Sequence, residues 1–152
     1  MTTLIDTNIV IALLDDTDAH HAWAKAKTDE LREQGPLIVS DIVYCESSVA
    51  MARREEMDEA ILRLGLDRVA PSDNALFIAG KAFKRYRDLN KGQKAGVLPD
   101  FLIGATAEAM GLPLLTADPR YFTRYFGTVP LITPGAAAPA VALAVAMPAA
   151  PA

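Results

Sequence analysis

The sequence predicts an α/β domain in which a parallel sheet of about five strands is flanked by helices on both faces. Short apolar runs alternate with longer segments of helical periodicity through residue 134. Consecutive parallel strands are joined by right-handed crossovers, and each crossover places its helix on one face of the sheet. Helices on both faces of the sheet give three layers. The chain has 152 residues, 51% hydrophobic and 22% charged, which is enough for one domain with a buried core.

The predicted elements alternate in chain order, and turn or capping residues bound most of them. The strands are predicted over 4–5, 37–39, 68–70, 113–116 and 129–132. The helices are predicted over 20–34, 40 to about 54, 55–66, 72 to about 89, 99–111 and 119–125. Ser40 and Ser72 are suited to cap the helices that they precede. Pro99 suits a first helical position, and Gly111 suits a helix end.

The composition changes at the end of the sequence. Residues 135–152 contain no charged residue and consist mostly of alanine and proline. This composition is typical of a disordered segment. We therefore expect a domain over 1–134 and an unstructured C-terminal tail over 135–152.

Charge and rare residues exclude several classes of protein. With 15 Lys and Arg against 19 Asp and Glu, the net charge of −4 excludes a polycation that coats nucleic acid. The single cysteine, Cys45, excludes an internal disulfide and any multi-thiolate metal site, and we expect it to be a small buried residue. His20 and His21 are adjacent on a helix and point about 100° apart, so they cannot form one acid–base pair.

The N-terminal residues do not resemble a signal peptide, because they lack a basic segment and their apolar stretch is interrupted by acidic residues. No segment approaches the roughly 18 consecutive apolar residues that a membrane span requires. We therefore expect a cytoplasmic protein without a membrane partner.

Four acidic residues fall where ligands bind in open parallel sheets, beyond the carboxyl ends of the strands. Asp6 and Asp118 follow the first and fourth strands. Glu46 lies in the helix after the second strand, and Asp100 begins the helix that precedes the fourth. Taken singly, Asp6 and Asp118 suit helix N-caps, Asp100 complements a helix dipole and Glu46 suits a solvated helix face.

The four positions together favour a metal site, because capping residues have no reason to converge. Two carboxylates about 4 Å apart repel each other by about 4 kcal/mol at an effective dielectric constant near 20. Such a cluster either raises its pKa values or binds cations. Oxygen ligands without cysteine or histidine select Mg²⁺ or Mn²⁺ over zinc.

A basic segment could contact the phosphates of a nucleic acid. Residues 81–94 contain six basic residues and one acidic residue, Asp88. Lys84, Arg85 and Arg87 are the candidate substrate-binding residues. A solvated helix face is the alternative interpretation.

At this point the sequence resembles the PIN-domain family, and within it the VapC-type ribonuclease toxins of bacterial toxin–antitoxin pairs. The resemblance covers about residues 3–133. It depends on four motifs in this order: Leu-Ile-Asp-Thr-Asn at 4–8, Ser40 followed by Glu46, Asp-Phe-Leu-Ile-Gly-Ala-Thr-Ala at 100–107, and Gly-Leu-Pro-Leu-Leu-Thr-Ala-Asp-Pro-Arg-Tyr-Phe at 111–122. Each motif alone is weak, and their order and separations make the set specific.

The resemblance implies a function and a set of site residues. The implied metal ligands and catalytic residues are Asp6, Glu46, Asp100 and Asp118. Thr7, Asn8 and Thr116 are implied to give polar support around them. The resemblance further implies a homodimer, RNA as the substrate, and inhibition by a small antitoxin whose C-terminal segment occupies the active-site groove.

These expectations combine into one hypothesis and two alternatives. The hypothesis is an Mg²⁺-dependent endoribonuclease, with Mn²⁺ as a substitute, in which metal-activated water hydrolyses the phosphodiester and leaves 5′-phosphate and 3′-hydroxyl ends. One alternative is a metal-dependent phosphatase or phosphoacceptor, although its Asp-x-Asp motif is absent because position 8 is Asn8. The other is a catalytically idle PIN-like binding module.

Overall fold

The structure, a computed structural model, describes residues 1–91 and 96–135, and it confirms the predicted α/β class. The elements in chain order are β1 (Thr3–Ile5), α1 (Thr7–Leu14), α2 (His21–Arg32), β2 (Leu37–Ser40), α3 (Asp41–Ser48), α4 (Arg54–Arg63), β3 (Leu66–Val69), α5 (Asp73–Leu89), α6 (Leu98–Met110), β4 (Leu114–Leu115), α7 (Arg120–Tyr125) and β5 (Leu131–Ile132). Within these ranges no helix is both long and apolar enough to cross a membrane. The predicted tail lies outside the described residues except for Gly135.

The five strands form one parallel sheet in the order β3-β2-β1-β4-β5. The central strand is β1, in which Leu4 pairs with Ile38 of β2 on one side and Leu114 of β4 on the other. The side chains of Leu4 and Leu114 are fully buried, as expected for a sheet covered on both faces. Because the chain order reverses between β1 and β4, the crevice at their carboxyl ends is the expected ligand site.

Local capping explains several helix boundaries. The Ser40 side chain accepts a hydrogen bond from the Val43 backbone N–H, and Ser72 accepts one from Ala75. Helix α6 ends where Gly111 adopts a left-handed conformation at φ 64°. These three boundaries agree with the sequence predictions.

Helix α3 is shorter than predicted, because it ends at Ser48 instead of continuing to about residue 54. The Val49 N–H donates to the carbonyl of Glu46, which tightens the last turn, and the Val49 side chain is 88% exposed. No apolar burial is therefore available to continue the helix at this position. The prediction that Cys45 is buried is also wrong, since this residue is exposed on α3.

The boundary between α4 and β3 also differs from the prediction. The helix ends at Arg63 and the strand begins at Leu66, whereas the sequence predicted a helix over 55–66 and a strand over 68–70. Gly65 separates them with φ +62°, a conformation that interrupts a helix and that other residues adopt at a cost.

An aromatic cluster fixes α6 against α5 and α7. The buried Phe101 ring lies with its centroid 5.6 Å from that of Tyr86 on α5 and 5.0 Å from that of Tyr125 on α7. Edge-to-face and tilted aromatic pairs of this kind add about 0.5–1.5 kcal/mol each beyond their buried area. Since Asp100 directly precedes Phe101, the cluster also fixes the position of this acidic residue.

Replacing Gly104 with alanine is expected to destabilise the protein by about 1–3 kcal/mol, because the added methyl group overpacks a buried site. A Cβ atom at Gly104 would lie 2.5 Å from the ring of Phe126, which is itself almost fully buried. Gly80→Ala is the matched control, because its Cβ position in the middle of α5 has no atom within 4 Å apart from its chain neighbours and the backbone of its own helix. It is expected to stabilise the helix by about 0.5–1 kcal/mol. Urea denaturation measures both changes, and equal effects would contradict this packing argument.

Candidate active site

Asp6 is buried at the carboxyl end of the central strand and caps α1. Its Oδ1 accepts a hydrogen bond of 2.7 Å from the Thr7 N–H, and its Oδ2 accepts one of 2.7 Å from the Thr116 hydroxyl. The residue is 4% exposed. The pKa of Asp6 is raised to about 7, mainly by burial and also by the charges of Asp100 and Glu46, while the two hydrogen bonds oppose the shift.

Glu46 reaches the same crevice from α3. Its Oε1 accepts a hydrogen bond of 2.7 Å from the Thr7 hydroxyl. Thr7 therefore links two of the predicted acids, since its N–H donates to Asp6 and its hydroxyl donates to Glu46. This bridge joins the start of α1 to α3.

Asp100 enters the crevice from the first turn of α6. The pKa of Asp100 is raised to about 6, mainly by burial and also by the charges of Glu46 and Asp118, against the opposing charge of Arg120. None of these causes is a hydrogen bond, so the carboxyl is perturbed by desolvation and by its acidic neighbours.

Asp118 follows β4 and is held by Arg120. The arginine Nε donates to Oδ1 at 2.8 Å, and Nη2 donates to Oδ2 at 2.6 Å. These hydrogen bonds hold the pKa of Asp118 below its ordinary value. The Asp118 Oδ1 also accepts a hydrogen bond of 3.3 Å from the Arg120 N–H, so its side chain caps the first N–H of α7 although Pro119 directly precedes the helix.

Asn8 and Thr116 bind the end of β4 to the start of α1. The Asn8 Oδ1 accepts a hydrogen bond of 3.1 Å from the Ala117 N–H, and its Nδ2 donates to the Thr116 hydroxyl at 3.3 Å. The Thr116 oxygen also accepts from the Asp118 N–H at 3.1 Å. These hydrogen bonds hold the segment that contains Asp118 against the start of α1, which directly follows Asp6.

All four predicted acids line one cleft of about 220 Å³. Its lining residues are Asp6, Thr7, Asn8, Ile11, Glu46, Asp100, Asp118, Tyr121 and Phe122. Ile11 was not predicted, although it stands one helical turn after Thr7 on α1. Tyr121 and Arg120 were not predicted either, and their proximity to Asp118 in the sequence was the available signal.

The donor set fits a hard divalent cation in its chemistry, because every candidate ligand is a carboxylate oxygen and two of the carboxyls have raised pKa values. Within the described ranges, no three Asp, Glu, His or Cys side chains already form the ligand set of one ion.

The predicted substrate-binding residues on α5 do not line the acidic cleft. Lys84 and Arg87 line a separate groove of about 370 Å³, together with Phe83 and Asp88. Lys84 forms an ion pair of 2.7 Å with Asp88, an exposed pair on the helix surface. Arg85 points elsewhere, because its Nη2 lies 3.4 Å from the Tyr125 carbonyl oxygen, to which it donates.

The family model of the PIN domain matches residues 3–126. The chain belongs to the PIN-domain family. This membership confirms the family resemblance and agrees with the five-stranded parallel sheet. No curated protein sequence matches this PIN domain significantly.

Solved structures of similar fold include toxin–antitoxin proteins. VapBC2 from Rickettsia felis, solved with a DNA fragment from its promoter, has 20% identity and a TM-score of 0.65 over 88% of this chain and 98% of that one. A toxin–antitoxin complex from Klebsiella pneumoniae has 25% identity and a TM-score of 0.61 over 87% and 97%. VapC20 from Mycobacterium tuberculosis, a toxin that cleaves the sarcin–ricin loop, has 18% identity and a TM-score of 0.56 over 80% and 94%.

Proposed function

We propose that this PIN domain is a metal-dependent endoribonuclease that acts as the toxin of a type II toxin–antitoxin pair. The observation that carries the proposal is the convergence of Asp6, Glu46, Asp100 and Asp118 on one cleft. The membership of the chain in the PIN family supports it. The similarity in fold to VapBC proteins, one of which cleaves an RNA loop, is consistent with it.

The four carboxylates would hold Mg²⁺, or Mn²⁺ in its place. A bound ion of this kind activates water and neutralises charge at the scissile phosphate. The chain contributes the geometry, because Thr116 and Thr7 orient the Asp6 carboxylate and Thr7 orients that of Glu46. In-line attack by water on the phosphodiester breaks the bond to the 3′-oxygen and leaves 5′-phosphate and 3′-hydroxyl ends.

The acidic cleft supports the proposed requirement of a cation for cleavage. Without a bound cation, these carboxylates repel the negative charge of a phosphodiester. Asp6 and Asp100 have raised pKa values partly because acidic neighbours surround them, and a divalent cation relieves that repulsion. Substrate binding and metal binding are therefore expected to be coupled.

The proposed function includes two protein partners. By similarity in fold to solved toxin–antitoxin complexes, we infer a small antitoxin as the inhibitor. A homodimer, implied by the family resemblance of the sequence, is the proposed toxin assembly. Light scattering of the purified toxin, alone and after coexpression with the protein encoded by the neighbouring gene, tests both partners.

Cleavage of end-labelled structured and unstructured RNAs tests the proposed function. Purified protein, freed of any bound antitoxin, is incubated with Mg²⁺, Mn²⁺ or EDTA. We expect cleavage with either ion, none with EDTA and none by Asp6→Asn, whereas Asp16→Asn in the exposed loop after α1 retains activity.

Other outcomes identify the alternatives. Metal binding without cleavage of any RNA would favour the idle binding module. Release of phosphate from a small phosphate ester, without RNA cleavage, would favour the phosphatase. Products that end in a 2′,3′-cyclic phosphate would contradict the water-based mechanism, because they require attack by the RNA 2′-hydroxyl.

The double variant Lys84→Ala/Arg87→Ala is expected to weaken RNA binding and to lower the slope of log affinity against log salt by about 1.4, since each phosphate contact on a single strand contributes about 0.7. Arg85→Ala is expected to change the slope little, because the guanidinium of Arg85 donates to the Tyr125 carbonyl. Fluorescence anisotropy at several salt concentrations measures both slopes. An unchanged slope in the double variant would assign Lys84 and Arg87 to a solvated helix face.

A further inference from the structure

Arg120 is a cation at the acidic cleft that the sequence analysis did not assign. Its side chain is 78% exposed, and its guanidinium contacts both carboxylate oxygens of Asp118. Its charge also acts on Asp100, whose pKa it lowers. The guanidinium therefore compensates part of the negative charge of the cleft.

The contact between Arg120 and Asp118 conflicts with metal binding by Asp118. A divalent ion bound to Asp118 would compete with the guanidinium, which donates three hydrogen bonds to the two oxygens of this carboxylate. The pair is exposed, and water screens exposed ion pairs, so little free energy opposes its separation. Arg120 is the first residue of α7, and its backbone stays beside the cleft when its side chain is released.

A released guanidinium at this position would meet the substrate. The planar fork that binds a carboxylate through two hydrogen bonds also binds two oxygens of a phosphate. A phosphodiester held at the acidic cleft lies within reach of a side chain that already contacts Asp118 at its rim. We propose that Arg120 has two alternative partners. It binds the Asp118 carboxylate in the absence of metal, and it binds an RNA phosphate when a divalent cation is bound to Asp118.

This inference rests on the proposed function and adds to it a substrate-binding residue together with the condition under which it binds. The guanidinium and a divalent ion would compete for the same two oxygens of Asp118. The exchange makes metal binding and phosphate binding cooperative.

The experiment compares the wild type with Arg120→Gln and with the matched control Arg124→Gln. Both variants remove one positive charge from α7. In the described structure Asp118 forms its ion pair with Arg120, whereas the Arg124 guanidinium lies near the Tyr125 ring. Calorimetry with Mn²⁺ in the absence of RNA is the first measurement. Arg120→Gln is expected to bind Mn²⁺ about two- to fivefold more tightly than the wild type, because the competing guanidinium has been removed from an exposed pair. Arg124→Gln is expected to match the wild type.

RNA binding is the second measurement, by anisotropy of a labelled single-stranded RNA in EDTA and in Ca²⁺, after a gel has established that the RNA stays intact. In Ca²⁺, Arg120→Gln is expected to bind about fivefold more weakly than the wild type, because one phosphate contact is lost. In EDTA the two proteins are expected to bind equally, because Arg120 is then occupied by Asp118. Circular dichroism verifies that each variant is folded.

The outcomes separate this inference from the proposed function. A wild type that binds no Mn²⁺ and cleaves no RNA would overturn both. A wild type that binds Mn²⁺ and cleaves RNA, with Arg120→Gln indistinguishable from Arg124→Gln, would overturn the exchange alone. An equal loss of RNA affinity in EDTA and in Ca²⁺ would also overturn it, because the contact would then not depend on the metal.

Discussion

Replacing Asp100 with asparagine is expected to abolish RNA cleavage and to stabilise the metal-free protein at pH 8. Cleavage should fall about 100-fold or more, because the amide removes a charge that the proposed metal site requires. Stability should rise by about 1 kcal/mol, a value that allows for screening at this partly exposed carboxyl. The gain arises because burial and acidic neighbours raise the pKa of Asp100 to about 6, so its ionised form destabilises the fold at pH 8. End-labelled RNA and urea denaturation measure the two effects.

The control for Asp100→Asn is the same substitution at an exposed acidic residue. Asp16 is exposed in the loop after α1, and Asp16→Asn is expected to change neither cleavage nor stability appreciably. Retention of wild-type cleavage by Asp100→Asn would remove Asp100 from the site. A destabilised Asp100→Asn variant would contradict the electrostatic argument.

The metal-free wild type is expected to lose stability as the pH rises from 5 to 8, and Mg²⁺ or Mn²⁺ is expected to restore it. Burial raises the pKa of Asp6 from its ordinary value of 3.8 to about 7. Between these values the folded protein binds more protons than the unfolded chain, so the free energy of unfolding decreases with pH. The loss from Asp6 is on the order of 3 kcal/mol when its titration is complete. Thermal unfolding in EDTA across this pH range measures it.

The variant Asp6→Asn is the control for this pH dependence. Asparagine is as good an N-cap as aspartate, so the start of α1 is expected to be preserved. The stability of the variant should depend less on pH. The metal should also stabilise the variant less than the wild type, because the stabilisation by a ligand increases with its affinity for the folded protein. Asp118, whose pKa is lowered, titrates below this range and does not contribute. An equally steep profile in Asp6→Asn would assign the pH dependence to other groups.

The sequence was sufficient to predict the fold class and the succession of the five strands along the chain. The alternation of apolar runs and amphipathic segments carries this information, because each run must enter the sheet and each amphipathic segment must cover it. Asp6, Glu46, Asp100 and Asp118 could be predicted to meet, since three of them follow strands whose carboxyl ends share one edge. The structure places all four at one cleft.

Side-chain partnerships could not be predicted in the same way. The bidentate contact between Arg120 and Asp118 depends on the direction that two side chains take from a turn, and periodicity carries no such information. Arg85 and Lys84 are adjacent in sequence but face different surfaces, because neighbours on a helix are separated by about 100°. The early end of α3 depends on the exposure of Val49, a tertiary property.

The central position of β1 has a consequence for the order in which the molecule is built. Leu4 pairs with Leu114, and Asp6 accepts the hydroxyl hydrogen bond of Thr116 across a separation of 110 residues. Contacts of such high sequence separation form slowly, and during synthesis they cannot form until the later segment has left the ribosome. A nascent chain that stops before β4 therefore contains Asp6 but not Asp118, and the acidic cleft is completed only when almost all of the domain has been translated.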